Sequence, residues 1–375
     1  MEPFIVTNVD GGHPDSGTNR IHVGLDIGQR KWVGGLLDLS DWSFTTVCFS
    51  GDDAWQQCVL WLDGLKAEGR SIHVLYEAGR NGFELARQLR DMGIDVDIVA
   101  VARLDLGKRR KRGRSDRLDA KRLAYMDFSA PGFPVVWTPS EEHECMRGVV
   151  VHWEGLVRQK RRLHNGCLSI LARWGVAHRE QMTPRMFDAL VQDLQGRLPK
   201  MEEDRVLWLW KEEKRVDGFL KKLQKQMEGH DRRLRRAAHD AGREYDVDRL
   251  VRLRGVGIDS ARRICWYVGD FGRFSSGRRF AAYCGLTPVH ERSGKMDVDK
   301  GISKAGNVVL RRTLVQLAQL FFQWQPECEV VKKWTARRGE SGSCRRVAKV
   351  ALAREIAVLA WRYLVNDEWP NGARE

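Results

Sequence analysis

The sequence predicts an α/β domain in the first third of the chain, followed by a mostly helical remainder. Residues 21–135 contain short apolar runs separated by turn residues, with helical patterns between the later ones. Residues 136–247 are heavily charged, with apolar residues at three- and four-residue steps. Residues 248–365 mix helical patterns with glycine-rich turns. Residues 1–20 and 366–375 have no periodicity, so we predict a flexible tail at the start and a frayed tail at the end.

The α/β prediction rests on the order of the elements. Three consecutive strand-like runs indicate an antiparallel meander, and two further strands then alternate with helical patterns that end at glycine. A third helix is predicted to begin near Ser115 or Asp116. The full order, β-β-β-α-β-α-β-α, matches the ribonuclease H-like topology. A fold alone does not determine a function. The strand runs are RIHVGLDIG, WVGGLLDL, WSFTTVCF, SIHVLYEAG and IDVDIVAVA, and the first two helices are DAWQQCVLWLDGLKAEG and GFELARQLRDMG.

Composition favours a folded protein with a polyanionic partner. Of the 375 residues, 42% are hydrophobic, 64 are Lys or Arg and 50 are Asp or Glu, giving a formal charge of +14. Such a basic chain most often binds nucleic acid or an anionic membrane surface. No apolar run of membrane-spanning length and no secretory signal pattern is present, so we predict no membrane association and a cytoplasmic location. The eight cysteines are scattered, which predicts reduced thiols rather than disulfides or a zinc site.

The charged stretch from Pro199 to His239 has two interpretations. Apolar residues among charges of both signs suit a long hairpin arm or a coiled coil. A solvated helix packed on its own domain has the same pattern. The sequence leaves both interpretations open.

Four carboxylates occupy positions that the predicted topology would bring together. Asp26 lies in the first strand, Glu77 ends the fourth strand, and Asp116 and Asp119 lie on one face of the third helix. Clustered carboxylates repel one another, so a fold that gathers them usually holds a cation between them. Two Mg²⁺ ions about 4 Å apart can bind the attacking and leaving oxygens of a phosphodiester. The sequence therefore predicts a Mg²⁺ (or Mn²⁺) site at these four residues.

A basic run, KRRKRGR, directly precedes the two helical aspartates. We predict that it binds a phosphate backbone while the aspartates hold the metal. Simpler interpretations exist for each acid: Asp116 could cap the helix, and Asp119 could pair with Arg122 or Arg117. Asp26 is less easily explained, because a carboxylate in an apolar strand costs several kcal/mol unless it is paired or metal-bound. The predicted phosphate contacts are Lys108, Arg109, Arg110, Lys111, Arg112 and Arg114.

The C-terminal block contains a second candidate nucleic-acid contact. LVRLRGVGIDSARRI has the form of a helix-hairpin-helix, in which Gly255 and Gly257 would let the backbone approach a phosphate at a helix start. A plain turn between two helices is the alternative. Further on, Ser293 lies in a predicted polar loop among many basic residues, before a helix predicted to begin near Ser303. The positive charge around Ser293 would stabilise the transition state of a nucleophilic attack by its hydroxyl group. A serine in a loop is, however, ordinarily a turn residue.

Two basic residues complete the predicted contacts around this serine. Lys304, Asn307 and Arg311 are spaced at three and four residues, so we predict that they share one helical face beside Ser293. Lys304 and Arg311 are the predicted nucleic-acid contacts, and Ser303 is predicted to cap the helix rather than act as a nucleophile.

Six ordered blocks resemble one known family. Asp26 in IHVGLDIG, Glu77 in LYEAG, SDRLDAKRLA, LRGVG, FAAYCGLTPVHERSG and ISKAGNVVLRR are similar to the DEDD transposases of the insertion-sequence-110 family, relatives of the pilin-gene invertases. The resemblance covers nearly the whole chain after residue 20. It implies a RuvC-like domain with Mg²⁺ at the four carboxylates, a helical linker and arm, and a C-terminal transposase domain in which Ser293 attacks DNA.

The resemblance also implies partners. Family members are oligomeric, with sites built from two protomers, and use a structured non-coding RNA to pair with donor and target DNA. We therefore expect both DNAs, a guide RNA and a homo-oligomer, either a dimer or a tetramer. Three alternatives stay open: a RuvC-like hydrolytic nuclease that uses water, a nucleic-acid-binding protein with a degenerate site, and an actin-like kinase, since GLDIG also resembles a D-x-G phosphate loop.

Overall fold

The computed structural model describes residues 19–29, 31–79, 82–100, 115–126, 132–176, 183–293 and 296–375, apart from 338 and 340. Side chains of residues 290–293 and 296–300 lie outside this description. The chain divides into two compact units, Met1–Glu142 and His143–Glu375, and each is described by itself. Within the described residues, no helix is both long and apolar enough to cross a membrane.

The first unit contains a five-stranded mixed sheet in the order β3-β2-β1-β4-β5. β1 pairs antiparallel with β2, which pairs antiparallel with β3, so the predicted meander is confirmed. β1, β4 and β5 run parallel to one another. The strands are β1 (Arg20–Ile27), β2 (Lys31–Asp38), β3 (Phe44–Ser50), β4 (Ser71–Glu77) and β5 (Asp95–Val99).

Three helices complete this unit in the predicted order: α1 (Ala54–Ala67), α2 (Glu84–Asp91) and α3 (Asp116–Ala124). Alternation along β1 sends Ile21, Val23 and Leu25 into one hydrophobic core, which also contains buried residues of α1 and α2. α3 covers the opposite face of the sheet.

Two glycines let α3 lie directly on that opposite face. Gly24 of β1 and Gly35 of β2 are register partners, so they form one side-chain-free patch. A Cβ at Gly24 would lie 2.2 Å from the carbonyl oxygen of Ala120 and 2.4 Å from the backbone nitrogen of Ala124. Any larger residue at position 24 would therefore collide with the backbone of α3.

The described residues of the second unit form helices and one β-hairpin. A large core joins its C-terminal helices, and Met146, Val150 and Met227 from the two longest helices belong to that core. Its elements are α4 (Glu141–Arg173), which begins just inside the first unit, α5 (Pro184–Gln192), α6 (Lys200–Asp240), α7 (Asp246–Arg252), α8 (Ile258–Val268), α9 (Gly277–Tyr283), β6 (Pro288–Ser293), β7 (Met296–Ile302), α10 (Val308–Trp324), α11 (Glu329–Ala336) and α12 (Gly342–Asn366).

The charged stretch forms α6, which packs antiparallel to α4. It has features of both predicted forms, a long arm and a helix packed on its own domain. Lys160 of α4 pairs with Asp217 of α6, and further along, Arg173 pairs with Glu202, 3.8 Å apart. At that far end, α4, α5 and α6 share a separate small core. At the near end, the same two helices pack into the large core of the unit. α6 has 41 residues, so it extends about 60 Å.

The end of the chain differs from the frayed tail that the sequence predicts. The backbone nitrogen of Glu329 donates to Asn371 (3.1 Å), and that of Arg254 donates to Arg374 (3.0 Å). Trp369 packs edge-on against Tyr363, with ring centroids 5.2 Å apart. The prediction was wrong because the backbone partners of Asn371 and Arg374 lie far away in sequence.

All eight cysteines are free in the structure. Five of them are buried and act as small apolar residues of the cores.

Replacing Gly24 by alanine is expected to destabilise the first unit by about 1–3 kcal/mol, because the added methyl group must displace the backbone of α3. A denaturant titration of the full chain measures this loss as a lower unfolding midpoint. Gly64, inside α1, is the matched control, because a Cβ there meets nothing within 4 Å. Gly64→Ala should be neutral or stabilising by up to about 1 kcal/mol. A Gly24→Ala protein as stable as the wild type would contradict the close packing of α3.

Candidate active site

Asp26 and Glu77 end two neighbouring parallel strands at the same edge of the sheet. Leu25 of β1 is in register with Tyr76 of β4, so the next residue of each strand is one of the two acids. Alternation places Asp26 on the face that carries Gly24. Glu77 lies on the same face, which at Leu75 packs against α3. Both predicted strand positions are confirmed, and they bring the two acids together.

α3 carries its two aspartates to this same edge. Ala120 and Leu123 lie against Gly24, and Asp116 and Asp119 precede them by four residues each. One helical turn therefore separates each aspartate from a residue that contacts the sheet, on the same side of the helix. The glycine patch thus determines how close the aspartates come to β1.

The electrostatics of Asp26 show that the four acids are neighbours. Asp26 is half-buried, and its pKa is raised to about 6, first by burial and then by the negative charges of Asp116, Asp119 and Glu77. Repulsion of this kind favours the protonated acid and would be relieved by a bound cation.

The four carboxylates supply the hard oxygen donors that Mg²⁺ prefers, so the donor chemistry fits this ion. Among the residues that the structure describes, however, no group of three or more His, Cys, Asp or Glu side chains is arranged to hold a metal. The acids share one edge of the sheet without converging on one point.

The simpler interpretations of the two helical aspartates have different outcomes. Ser115 caps α3, since its hydroxyl accepts from the backbone nitrogen of Leu118 at 3.3 Å, so the capping role for Asp116 is wrong. Asp119 does pair with Arg122, at 3.4 Å. This pair is exposed and spaced i, i+3, and such pairs contribute little to stability. The pair therefore leaves the Asp119 carboxylate available for another ligand.

The basic run before α3 lies outside the described residues. This concerns the predicted phosphate contacts Lys108, Arg109, Arg110, Lys111, Arg112 and Arg114.

The predicted helix-hairpin-helix has two helices, α7 and α8, joined by a turn at Gly255 and Gly257. Gly255 has φ +93°, a conformation that favours glycine, and a Cβ there would also lie in tight contact with the Cβ of Trp324, at 3.3 Å. Gly257 is the N-cap of α8, whose first backbone bonds run from Ser260 and Ala261 to the Gly257 carbonyl. The backbone amides before Ser260 donate no bond within the helix, and free amides at a helix start are suited to binding an anion.

Ser293 is the last residue of β6, where the sequence predicts an irregular loop. It pairs with Met296 of β7, so the segment is a tight antiparallel hairpin. The prediction was wrong because β6 is mostly polar and the apolar alternation in β7 covers only Met296 to Asp299, which is too short to mark a strand clearly.

The helix after the hairpin begins later than predicted. α10 starts at Val308, and Asn307 caps it by accepting from the backbone nitrogen of Leu310 at 3.0 Å, so the capping role for Ser303 is wrong. Lys304 therefore precedes the helix and does not share a helical face with Arg311. Instead, Nη1 of Arg311 donates to the carbonyl oxygen of Lys304 at 3.0 Å.

Lys304 adopts a left-handed conformation (φ +55°), which is uncommon for a residue with a side chain and often marks a functional site. Two glycines that the sequence analysis did not select allow this turn. A Cβ at Gly306 would lie 2.4 Å from the backbone nitrogen of Gly285, and one at Gly285 would lie 2.5 Å from Arg311. Their signal in the sequence was the pair of turns CGLTP and SKAGN.

Comparison with known proteins relates the chain to transposases. Residues 247–331 match the family described as "Transposase IS116/IS110/IS902 family". The chain is 29% identical over 312 residues to "Putative transposase y4rJ" of Sinorhizobium fredii (strain NBRC 101917 / NGR234), covering 78% of this chain and 76% of that protein.

Two further relatives extend the similarity. The "Probable family 20 transposase" of Pseudomonas aeruginosa is 25% identical over 302 residues, which covers 78% of this chain and 84% of that protein. The "Transposase for insertion sequence element IS1111A" of Coxiella burnetii is 33% identical over 128 residues, covering 33% of this chain and 34% of that protein. The C-terminal part of the chain thus matches the model of this family, and the chain is similar to transposases over about four fifths of its length.

Proposed function

We propose that this transposase cuts and rejoins DNA with Ser293 as nucleophile and with Mg²⁺ (or Mn²⁺) held by Asp26, Glu77, Asp116 and Asp119. The observation that carries the proposal is the grouping of these four carboxylates at one edge of the sheet, where the charges of three of them raise the pKa of Asp26. Carboxylates that repel one another are stabilised when a cation binds between them, so such a cluster suits a metal site.

The order of the sheet supports a RuvC-like assignment for the first unit. An antiparallel meander followed by two parallel strands, with a helix across the strand that carries the first acid, suits a metal-dependent nuclease site. When bound, the metal would supply Lewis-acid stabilisation of the phosphodiester oxygens. The chain's own part is to keep one acid half-buried and to hold two more on a helix that the glycine patch fixes in place.

The chemistry at the serine is a phosphoryl transfer that conserves bond energy. The Ser293 oxygen would bond to phosphorus while the ester bond to one strand end breaks, and the serine proton would pass to the departing oxygen. The phosphoserine link would then be attacked by another strand end, which restores the serine. Lys304 and Arg311 support this role, because positive charge near the reacting phosphate stabilises the charge that develops there.

The partners follow from charge and family. With a net charge of +14, the chain suits donor and target DNA together with a structured guide RNA. The basic residues from Lys108 to Arg114, together with the turn at Gly255 and Gly257, are proposed to contact phosphates. We further propose that the protein acts in the cytoplasm as a homo-oligomer, a dimer or a tetramer, in which two protomers build each site.

Asp26→Asn is expected to change how stability depends on pH and on Mg²⁺. Because the folded pKa of Asp26 is about 6 and the unfolded value is near 3.8, the folded protein binds more protons between these values. This group therefore costs stability as pH rises from about 4 to 6, and the cost stays at higher pH. At pH 7.5 without metal, the asparagine variant should melt a few degrees above the wild type, and the difference should vanish near pH 4.

Added Mg²⁺ at pH 7.5 should raise the melting temperature of the wild type and leave that of Asp26→Asn nearly unchanged. Asp63→Asn, on the exposed side of α1, is the matched control and should respond to Mg²⁺ as the wild type does. Equal stabilisation of all three proteins by Mg²⁺ would refute a metal site at Asp26.

Ser293→Ala is expected to abolish a covalent protein–DNA adduct. The protein would be expressed with the non-coding DNA that flanks its gene, the reaction stopped with detergent, and DNA attached to the protein measured. Ser303→Ala is the matched control, since it removes a nearby hydroxyl group and should retain the adduct. Asp26→Ala should abolish recombination while the protein stays folded.

A different outcome separates the serine mechanism from hydrolysis. DNA cleavage without any adduct, unchanged in Ser293→Ala, would mean that the carboxylates and their metal activate water. The protein would then be a RuvC-like hydrolytic nuclease.

A further inference from the structure

The turn at Gly255 and Gly257 is held by the far end of α10. Trp324, the last residue of α10, lies against Gly255, and the guanidinium group of Arg254 lies over the Trp324 ring, 5.2 Å from its centroid. Gln325, the next residue, is completely buried. A buried amide needs partners for its polar atoms, and this one has three.

The Gln325 side chain joins the turn to a distant segment of the chain. Its Nε2 donates to the carbonyl oxygens of Arg254 (2.9 Å) and Arg374 (2.7 Å). Its Oε1 accepts from the backbone nitrogen of Arg374 at 2.7 Å. The Arg374 carbonyl also accepts from the backbone nitrogen of Arg254 at 3.0 Å. The Gln325 side chain therefore bonds to both Arg254, the residue just before Gly255, and Arg374.

The segment that carries Arg374 is itself firmly seated. Gly372 has φ +70°, and a Cβ there would lie 2.4 Å from the carbonyl oxygen of Glu327. The segment thus runs directly over the start of α11, where Asn371 accepts from the backbone nitrogen of Glu329. Together, Gln325 and residues 369–374 form a brace behind the turn.

We propose that Gln325 is a positioning residue for DNA binding, which fixes the backbone of Arg254 and thereby the phosphate-binding conformation of the Gly255–Gly257 turn. The inference rests on the proposed role of that turn. Backbone amides bind a phosphate well only if they are already oriented, because ordering a loop on binding weakens affinity. The brace supplies this order before DNA arrives, because the buried Gln325 side chain and the Arg374 carbonyl bond to the backbone of Arg254.

Helix α10 connects the turn at Gly255 and Gly257 to the β6–β7 hairpin that carries Ser293. α10 begins at Val308, and Arg311 in its first turn donates to the Lys304 carbonyl, whereas its other end is Trp324, with Gln325 as the C-cap. Its 17 residues span about 25 Å. A single rigid helix thus sets the separation between the candidate phosphate contact and the segment that follows the candidate nucleophile.

The test uses the full chain and a fluorescently labelled DNA duplex of mixed sequence, because phosphate contacts do not depend on sequence. Gln325→Glu keeps the shape and the acceptor for Arg374, but it places an oxygen against two carbonyl oxygens. We expect faster hydrogen exchange in residues 253–259 and a DNA dissociation constant raised about tenfold. Gly372→Ala, which unseats the brace without touching Gln325, should have the same two effects.

Two controls remove general instability as an explanation. Leu314→Ala deletes a buried side chain of α10 away from the turn and should lower the melting temperature with little change in DNA affinity, measured well below that temperature. Gly196→Ala is the match for Gly372→Ala, since Gly196 has φ +75° but a Cβ there meets nothing within 4 Å. It should leave affinity unchanged.

Gly257→Asp separates failure of the inference from failure of the proposed DNA contact. Aspartate is a favoured N-cap, so α8 should stay folded, while its charge repels a phosphate. If Gly257→Asp weakens DNA binding but Gln325→Glu and Gly372→Ala do not, the brace has no role in binding. If Gly257→Asp has no effect, the turn does not contact DNA, and the inference fails with that contact.

Discussion

The candidate site depends on the close approach of α3 to the sheet. Gly24 and Gly35 leave a bare patch across β1 and β2, and the backbone of α3 occupies the space that side chains would fill. A helix normally packs on a sheet through layers of side chains, so direct backbone contact brings its first turn unusually near the strands. Asp116 and Asp119 are close enough to act on Asp26 because of this contact.

The energetic consequence is a site that is unfavourable without a ligand. Burial and three neighbouring negative charges oppose ionisation of Asp26, and the wider fold has to supply the free energy that keeps the acids together. The core formed by Ile21, Val23, Leu25 and the helices on the other face is the main source. The larger core thus lies on one face of the sheet, whereas the four acids lie at the edge of the other face.

Buried ion pairs join several helices of the second unit. Glu154 of α4 accepts from Arg263 of α8 at 2.7 Å and also pairs with Arg312 of α10. Asp231 of α6 and Arg262 of α8 form a buried pair, at 2.5 Å. Breaking such pairs leaves a buried charge alone, which is costly, so they specify one arrangement of the helices. The long arm is therefore joined rigidly to α8, which follows the candidate phosphate-binding turn.

Local patterns in the sequence determined the element order of the first unit and the candidate acids, because apolar periodicity and glycine stops report directly on strands and helices. They also indicated the turn at Gly255. Only the tertiary structure decided that Ser293 ends a hairpin, that Asn307 rather than Ser303 caps α10, and that residues 369–374 are anchored. The anchoring of residues 369–374 and the turn before α10 depend on partners distant in sequence, such as Gln325 for Arg374 and Gly285 for Gly306. The sequence of one polar segment does not indicate which distant residues it contacts, whereas apolar residues at regular spacing indicate which face of a helix or strand is buried.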